Sequence, residues 1–185
     1  MKTLISTIAI TALTVTGALP ALAQERHISP HETFSARIGS DRITITYGRP
    51  YTVKLGTTEV RKIWGNSDLV PYGKPWRMGA DEATTLITQQ PLEIGGKTIP
   101  AGAYTLYMVP EENGASQLAI STALGGWGIP VDTKHDLARV DLTKTALDKP
   151  VDQFTMAIAK DSSGGGVLKL MWENTQFSVP FTVQK

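Results

Sequence analysis

The chain has 185 residues, room for one domain with a core of its own and too little for two of ordinary size. Its 41% hydrophobic and 19% charged residues are the composition of a globular protein, which excludes a chain disordered or membrane-embedded along its length. Eighteen Lys and Arg against 17 Asp and Glu leave a formal charge of +1, so no basic excess points to nucleic acid, and the absence of cysteine excludes disulfides and thiol nucleophiles.

Residues 1–23 read as a signal peptide. Lys2 supplies the positive start, 4–19 form an apolar stretch, and Ala21, Leu22 and Ala23 after Pro20 make an A-x-A cleavage site. Threonines and a serine interrupt the stretch, which falls short of the roughly 20 strongly apolar residues of a membrane span. Cleavage after Ala23 is expected, giving a periplasmic or secreted protein with no transmembrane segment in the mature chain, a single β domain over 24–185.

Beyond the leader the dominant period is two. Ile43, Ile45 and Tyr47 alternate with threonines over 42–47, the pattern of a half-buried strand. In 92–98 Gly95 and Gly96 form a two-residue hairpin signal, since both tolerate positive φ. Residues 103–109 and 117–121 read as strands that pair as a hairpin across the turn 111–115. The stretch 132–149 has no sustained apolar stripe and reads as loop, then a strand over 137–142, then turn. Phe154, Met156 and Ile158 alternate, as do Leu168, Leu170 and Trp172, around a flexible turn at 161–166. Phe177, Val179, Phe181 and Val183 share one face of a last strand, where Pro180 suggests a sheet edge or a bulge. Many short strands with scarce helical signal favour an antiparallel β-sandwich, immunoglobulin-like or jelly-roll-like; a partly open β-barrel is the alternative.

The run 48–83 breaks this order, being far longer than an ordinary connection. Its aromatic and aliphatic residues, Trp64, Tyr72 and Trp76 among them, have a strong incentive to bury, so an ordered loop is expected. Arg49, Arg61 and Arg77 lie among them, with Asp81 and Glu82 just after. Aromatics mixed with arginines suit a pocket in which a planar or apolar ligand stacks and a carboxylate or phosphate is gripped. The plainer reading makes the loop a plug at one end of the sandwich, with Trp64 and Trp76 as core and Arg77 tied to Glu82.

Residues 61–65 (Arg-Lys-Ile-Trp-Gly), 69–73 (Leu-Val-Pro-Tyr-Gly), Trp76-Arg77, Gly79-Ala80 and Glu82-Ala83-Thr84 together resemble the signature of the bacterial domain-of-unknown-function family numbered 2911. The likeness extends to 43–47 with Arg49-Pro50, to 99–106, and less clearly to Ile129-Pro130. Two departures stand out: 51–60 is longer than the family's usual link, which alters the rim of any pocket there, and Asp81 replaces the usual asparagine. The resemblance implies an exported β domain and assigns no activity.

No nucleophile elbow, phosphate-binding loop, zinc-protease motif or dinucleotide fingerprint is present, and nothing calls for a cofactor. His27 and His31 have helical metal-ligand spacing, which Pro30 spoils, so no metal site is expected. His135 beside Asp136 reads as a solvated loop histidine. These readings favour a non-enzymatic binding or interaction module that uses Arg49, Arg61, Trp64, Tyr72, Trp76, Arg77 and Glu82, with an unidentified small molecule or envelope protein as partner. The alternative is a hydrolase-type enzyme using Asp81 or Glu82 with Arg77.

Overall fold

The computed structural model describes residues 29–54 and 56–184; the expected signal peptide and His27 lie outside them. Nine strands form one antiparallel sheet: β1 (His31–Ile38), β2 (Asp41–Gly48), β3 (Thr84–Thr88), β4 (Leu92–Ile94), β5 (Lys97–Ile99), β6 (Gly102–Val109), β7 (Ser116–Ser121), β8 (Asp136–Lys160) and β9 (Gly166–Val183). Their spatial order is β1-β2-β3-β6-β7-β8-β9-β4-β5, and the sheet is not closed. The all-β expectation holds, and an open sheet around one core is consistent with either a β-sandwich or an open β-barrel. Among the described residues, no helix is long and apolar enough to cross a membrane.

The alternation read from the sequence is the alternation of burial. In β2 Ile43, Ile45 and Tyr47 are all buried, while Arg42 and Thr46 are exposed. The hairpin of β4 and β5 turns on Gly95 and Gly96 at φ 55° and 74°, the left-handed pair that a two-residue connection requires. β6 pairs with β7 as expected. Asp41, completely buried at the start of β2, accepts hydrogen bonds from the Thr88 hydroxyl at 2.7 Å and the Gln89 amide at 3.0 Å, so no donor-seeking oxygen is left stranded.

Three places differ from expectation. β1 has no counterpart in the sequence reading, because its inward face interleaves Glu32 and Ala36 with Phe34 and Ile38 rather than presenting a run of large apolar residues. The turn expected after Leu142 is absent: β8 continues to Lys160, because 143–146 pair with 175–178 of β9 and tertiary pairing overrides a polar local sequence. Pro180 lies neither on an edge strand nor within a ladder. Pairing of β9 with β8 ends at Ser178 and pairing with β4 begins at Phe181, so the missing N–H falls in the gap.

β8 therefore serves two halves of the sheet. Its first residues, 136–142, pair with β7, while 143–146, Val151 and 155–160 pair with β9. Between Val151 and Thr155 the register slips, and the bulged segment pairs instead with the chain leaving β2: Thr52 N–H donates to Asp152 O at 2.7 Å and Phe154 N–H to Pro50 O at 2.8 Å.

Tyr47 joins β2 to β8 from inside. Its hydroxyl donates to Glu32 at 3.0 Å and accepts the Met156 amide at 2.9 Å. Burial pushes the phenol up to about 12; the Met156 amide opposes the shift and Glu32 adds to it. The folded protein thus keeps a proton that the unfolded chain releases near pH 10. Stability from this group is complete below about pH 10 and is lost as pH rises to about 12, a change of about 2–3 kcal/mol. Urea midpoints measured across that window are expected to fall more steeply for the wild type than for Tyr47→Phe; equal slopes would refute the assignment.

Candidate functional site

The loop between β2 and β3 is ordered by backbone bonds rather than by strands of its own. After 50–52 have paired with β8, the chain forms a small hairpin in which Lys54 N–H donates to Glu59 O at 2.9 Å. It then turns at 63–70, where Gly65 N–H reaches Val70 O at 2.9 Å, and comes back against β6 through a reciprocal pair between Trp76 and Met108 at 2.7 and 2.8 Å. Trp64 and Trp76 are 8% and 6% exposed, so both belong to the core, as the plug reading expects. They sit in an aromatic cluster: Trp76 stacks on Trp172 with centroids 5.9 Å apart, and Trp64 packs edge-on to Trp76 and Phe177. The other half of the plug reading does not hold. Arg77 donates to the Trp127 carbonyl at 3.0 Å with its guanidinium over the Trp127 ring, and Glu82 pairs with His31 at 3.0 Å.

The loop leaves a cavity of about 450 Å³ beside it. Trp76 and Trp172 reach its floor, Tyr51 and three prolines (Pro50, Pro71, Pro75) give it rigid apolar walls, and Lys54, Arg61, Arg77 and Asp68 bring charge to it. Ile129, from the loop before β8, completes one side. Of the residues singled out from the sequence, Arg61, Trp76 and Arg77 meet at this cavity. Tyr51, Lys54, Ile129 and Trp172 also line it and were not singled out. Tyr51 and Lys54 come from the stretch 51–60, so this part of the loop shapes the rim.

The remaining candidates have other partners. Arg49 lies in a network: Nη1 meets Glu32 at 3.0 Å, Nε donates to Phe154 O at 3.2 Å and Nη2 to the Thr155 hydroxyl at 2.9 Å, fastening β1 and β2 to β8. Tyr72 covers Gly65, whose α-carbon faces the ring so closely that a Cβ would lie 2.6 Å from it; burial raises its phenol pKa, and Glu112 and Glu173 add to the rise. Burial lowers the guanidinium pKa of Arg77 from its ordinary value, and Asp81 and Glu82 partly restore it.

At the rim, Met78 and Asp81 hold left-handed backbone at φ 55° and 64°, on either side of Gly79 and Ala80, which line the cavity. Aspartate and asparagine enter that region more readily than other side chains, a physical reason for an Asn-like residue at 81. The Asp81 carboxylate accepts the Ser29 amide at 3.0 Å and lies 3.8 Å from His31. These contacts tie the start of β1 to the rim.

The fold and site define a class: a domain built on one open antiparallel sheet, with a long ordered loop that lines a small-molecule-sized cavity. The chain belongs to the family described as protein of unknown function DUF2911, whose model matches residues 29–181, and the likeness seen in the strings around Trp64 and Trp76 is borne out. No curated protein and no solved structure matches it.

Proposed function

We propose that the protein is an exported, non-enzymatic binding module that holds a small molecule in the cavity beside the loop 48–83. The observation that carries this reading is the cavity itself. At about 450 Å³ it falls within the roughly 300–1,000 Å³ typical of small-molecule sites, and it combines apolar walls with a few charged groups. The hydrolase reading has less support: Arg77 lines the cavity, but the Asp81 carboxylate is engaged by Ser29 and His31, and Glu82 is exposed and paired with His31.

Export rests on residues 1–23, so a periplasmic product beginning at Gln24 is expected, and one that retains Met1 would refute it. For the cavity, a set of neutral, anionic and cationic single-ring compounds in ligand-observed NMR is expected to yield at least one binder. Its signal should weaken with Leu69→Trp, which adds bulk to the cavity from a half-buried wall position. Binding unaffected by Leu69→Trp, or no binder of any charge, would defeat the reading.

A further inference from the structure

We infer that the cavity selects an anion: a small organic molecule that carries a carboxylate or phosphate on an apolar body. This rests on the cavity being the binding site, and it adds the chemical class of the ligand.

Lys54, Arg61 and Arg77 line the cavity against one carboxylate, Asp68. Among the described residues neither arginine has a carboxylate within 4.0 Å, and Lys54 meets only Glu59, at 4.0 Å. Asp68 neutralises none of them; its own hydrogen bonds are local, to Ser67 and Asn66. Unpaired charge in a partly apolar concavity is costly, and cations of one sign around a concavity concentrate the field that draws an anion in.

The three cations offer different grips. Arg61 is held in place from behind: Nη2 donates to the Tyr51 carbonyl and Nε to Thr52 O at 3.4 Å, which leaves the second N–H of Nη2 and both of Nη1 for a ligand. That makes it a fixed donor whose end-on fork can still grip an oxyanion with two prongs. Arg77 spends Nη1 on the Trp127 carbonyl and is partly desolvated, which strengthens its pull on an incoming oxyanion, while the nearby Asp81 and Glu82 carboxylates offset part of that pull. Lys54 has a side chain 60% exposed, with its ammonium on a flexible stem that adapts to the anion's position.

The apolar body does not stack on tryptophan. Trp76 and Trp172 are 6% and 1% exposed, their faces already covered by each other and by Phe154. What remains open to a ligand is Tyr51, half-buried, together with the proline and Leu69 walls. Such walls suit a ring or short alkyl body without demanding a particular heterocycle.

One phenylalkyl scaffold with four head groups tests this on the full mature protein: 2-phenylethyl phosphate, 3-phenylpropionate, 3-phenylpropanamide and 3-phenylpropylamine, titrated calorimetrically at low salt. The two anions are expected to bind about tenfold or more tighter than the amide, the amine least, with affinity falling as salt rises. The order of the two anions tells phosphate from carboxylate recognition. Lys54→Gln and Arg77→Gln should each weaken the anions severalfold and leave the amide unchanged, with the far-ultraviolet spectrum preserved. If the amide or amine binds as tightly as the anions and is weakened in Leu69→Trp, the anion inference falls and the binding module stands. If none of the four binds, or Leu69→Trp changes nothing, the module reading falls and takes this inference with it.

Discussion

Trp172→Ala is expected to destabilise the domain by about 3–5 kcal/mol, the range of a large aromatic deleted from a packed core. Trp172 is 1% exposed, stacks on Trp76 at 5.9 Å, and touches Phe154 and Trp64 at 5.7 and 6.5 Å between ring centroids. Its indole N–H also donates to Asp152 O at 3.4 Å, on the β8 bulge that receives the chain leaving β2. Truncation thus opens a void beneath the cavity and removes a second donor from the Asp152 carbonyl, which keeps the Thr52 N–H at the point where loop and sheet are fastened. Urea denaturation followed by far-ultraviolet circular dichroism measures the loss, with Trp127→Ala as a control. Trp127 is 49% exposed, so its replacement should cost well under half as much. A loss below about 1 kcal/mol for Trp172→Ala would contradict a packed aromatic cluster.

Gly48→Ala is the second large effect, and it acts through the backbone. A Cβ on Gly48 would overlap the carbonyl of Ala80, and a Cβ on Gly79 would lie 2.7 Å from the Gly48 carbonyl oxygen, at φ 156° where a side chain is strained anyway. The end of β2 and the rim of the cavity are thus in backbone contact, a closeness that only two glycines permit. Neither partner is the free end of a flexible side chain, so the rim must move. The expected cost is about 2–3 kcal/mol, toward the upper end for overpacking. The variant should also lose affinity for any cavity ligand, since Gly79 and Ala80 line it. Gly39→Ala is the comparison: its φ is 59° but a Cβ there meets nothing within 4 Å, so it carries backbone strain without collision. Equal stability losses for the two would show that the contact with Ala80 contributes nothing.

The strands that could be read in the sequence have one clean buried face. Ile43, Ile45 and Tyr47 announce β2, and Phe177, Val179 and Phe181 announce the end of β9, because period-two burial leaves a period-two composition. β1 could not be read this way, since Phe34 and Ile38 share the work of holding it with polar groups: Thr33 and Ser35 form hydroxyl pairs with Thr46 and Thr44 at 2.9 and 2.7 Å, and Glu32 meets Arg49 and Tyr47. The aromatic and arginine content of 48–83 identified the loop, and Arg61, Trp76 and Arg77 within it, as the place to look. It could not separate Arg49, whose partners at 154 and 155 lie more than a hundred residues away, from arginines that line the cavity. Lys54, Ile129 and Trp172 join the cavity only through pairings set by the β8 bulge and the loop before β8, which no local pattern encodes. Asp81 was visible as an acid, but its left-handed backbone, the reason an Asx residue suits that position, was not.

The passage of β8 from one half of the sheet to the other has a thermodynamic corollary. A single backbone carries the hydrogen bonds of β7 along its first part and of β9 along its second, so peeling away either layer unravels an edge of the strand the other depends on. The β7-side layer and the β9-side layer have no seam along which to part, so heat or denaturant is expected to melt them in one cooperative step. A sheet of this build presents its whole ordered scaffold or none of it.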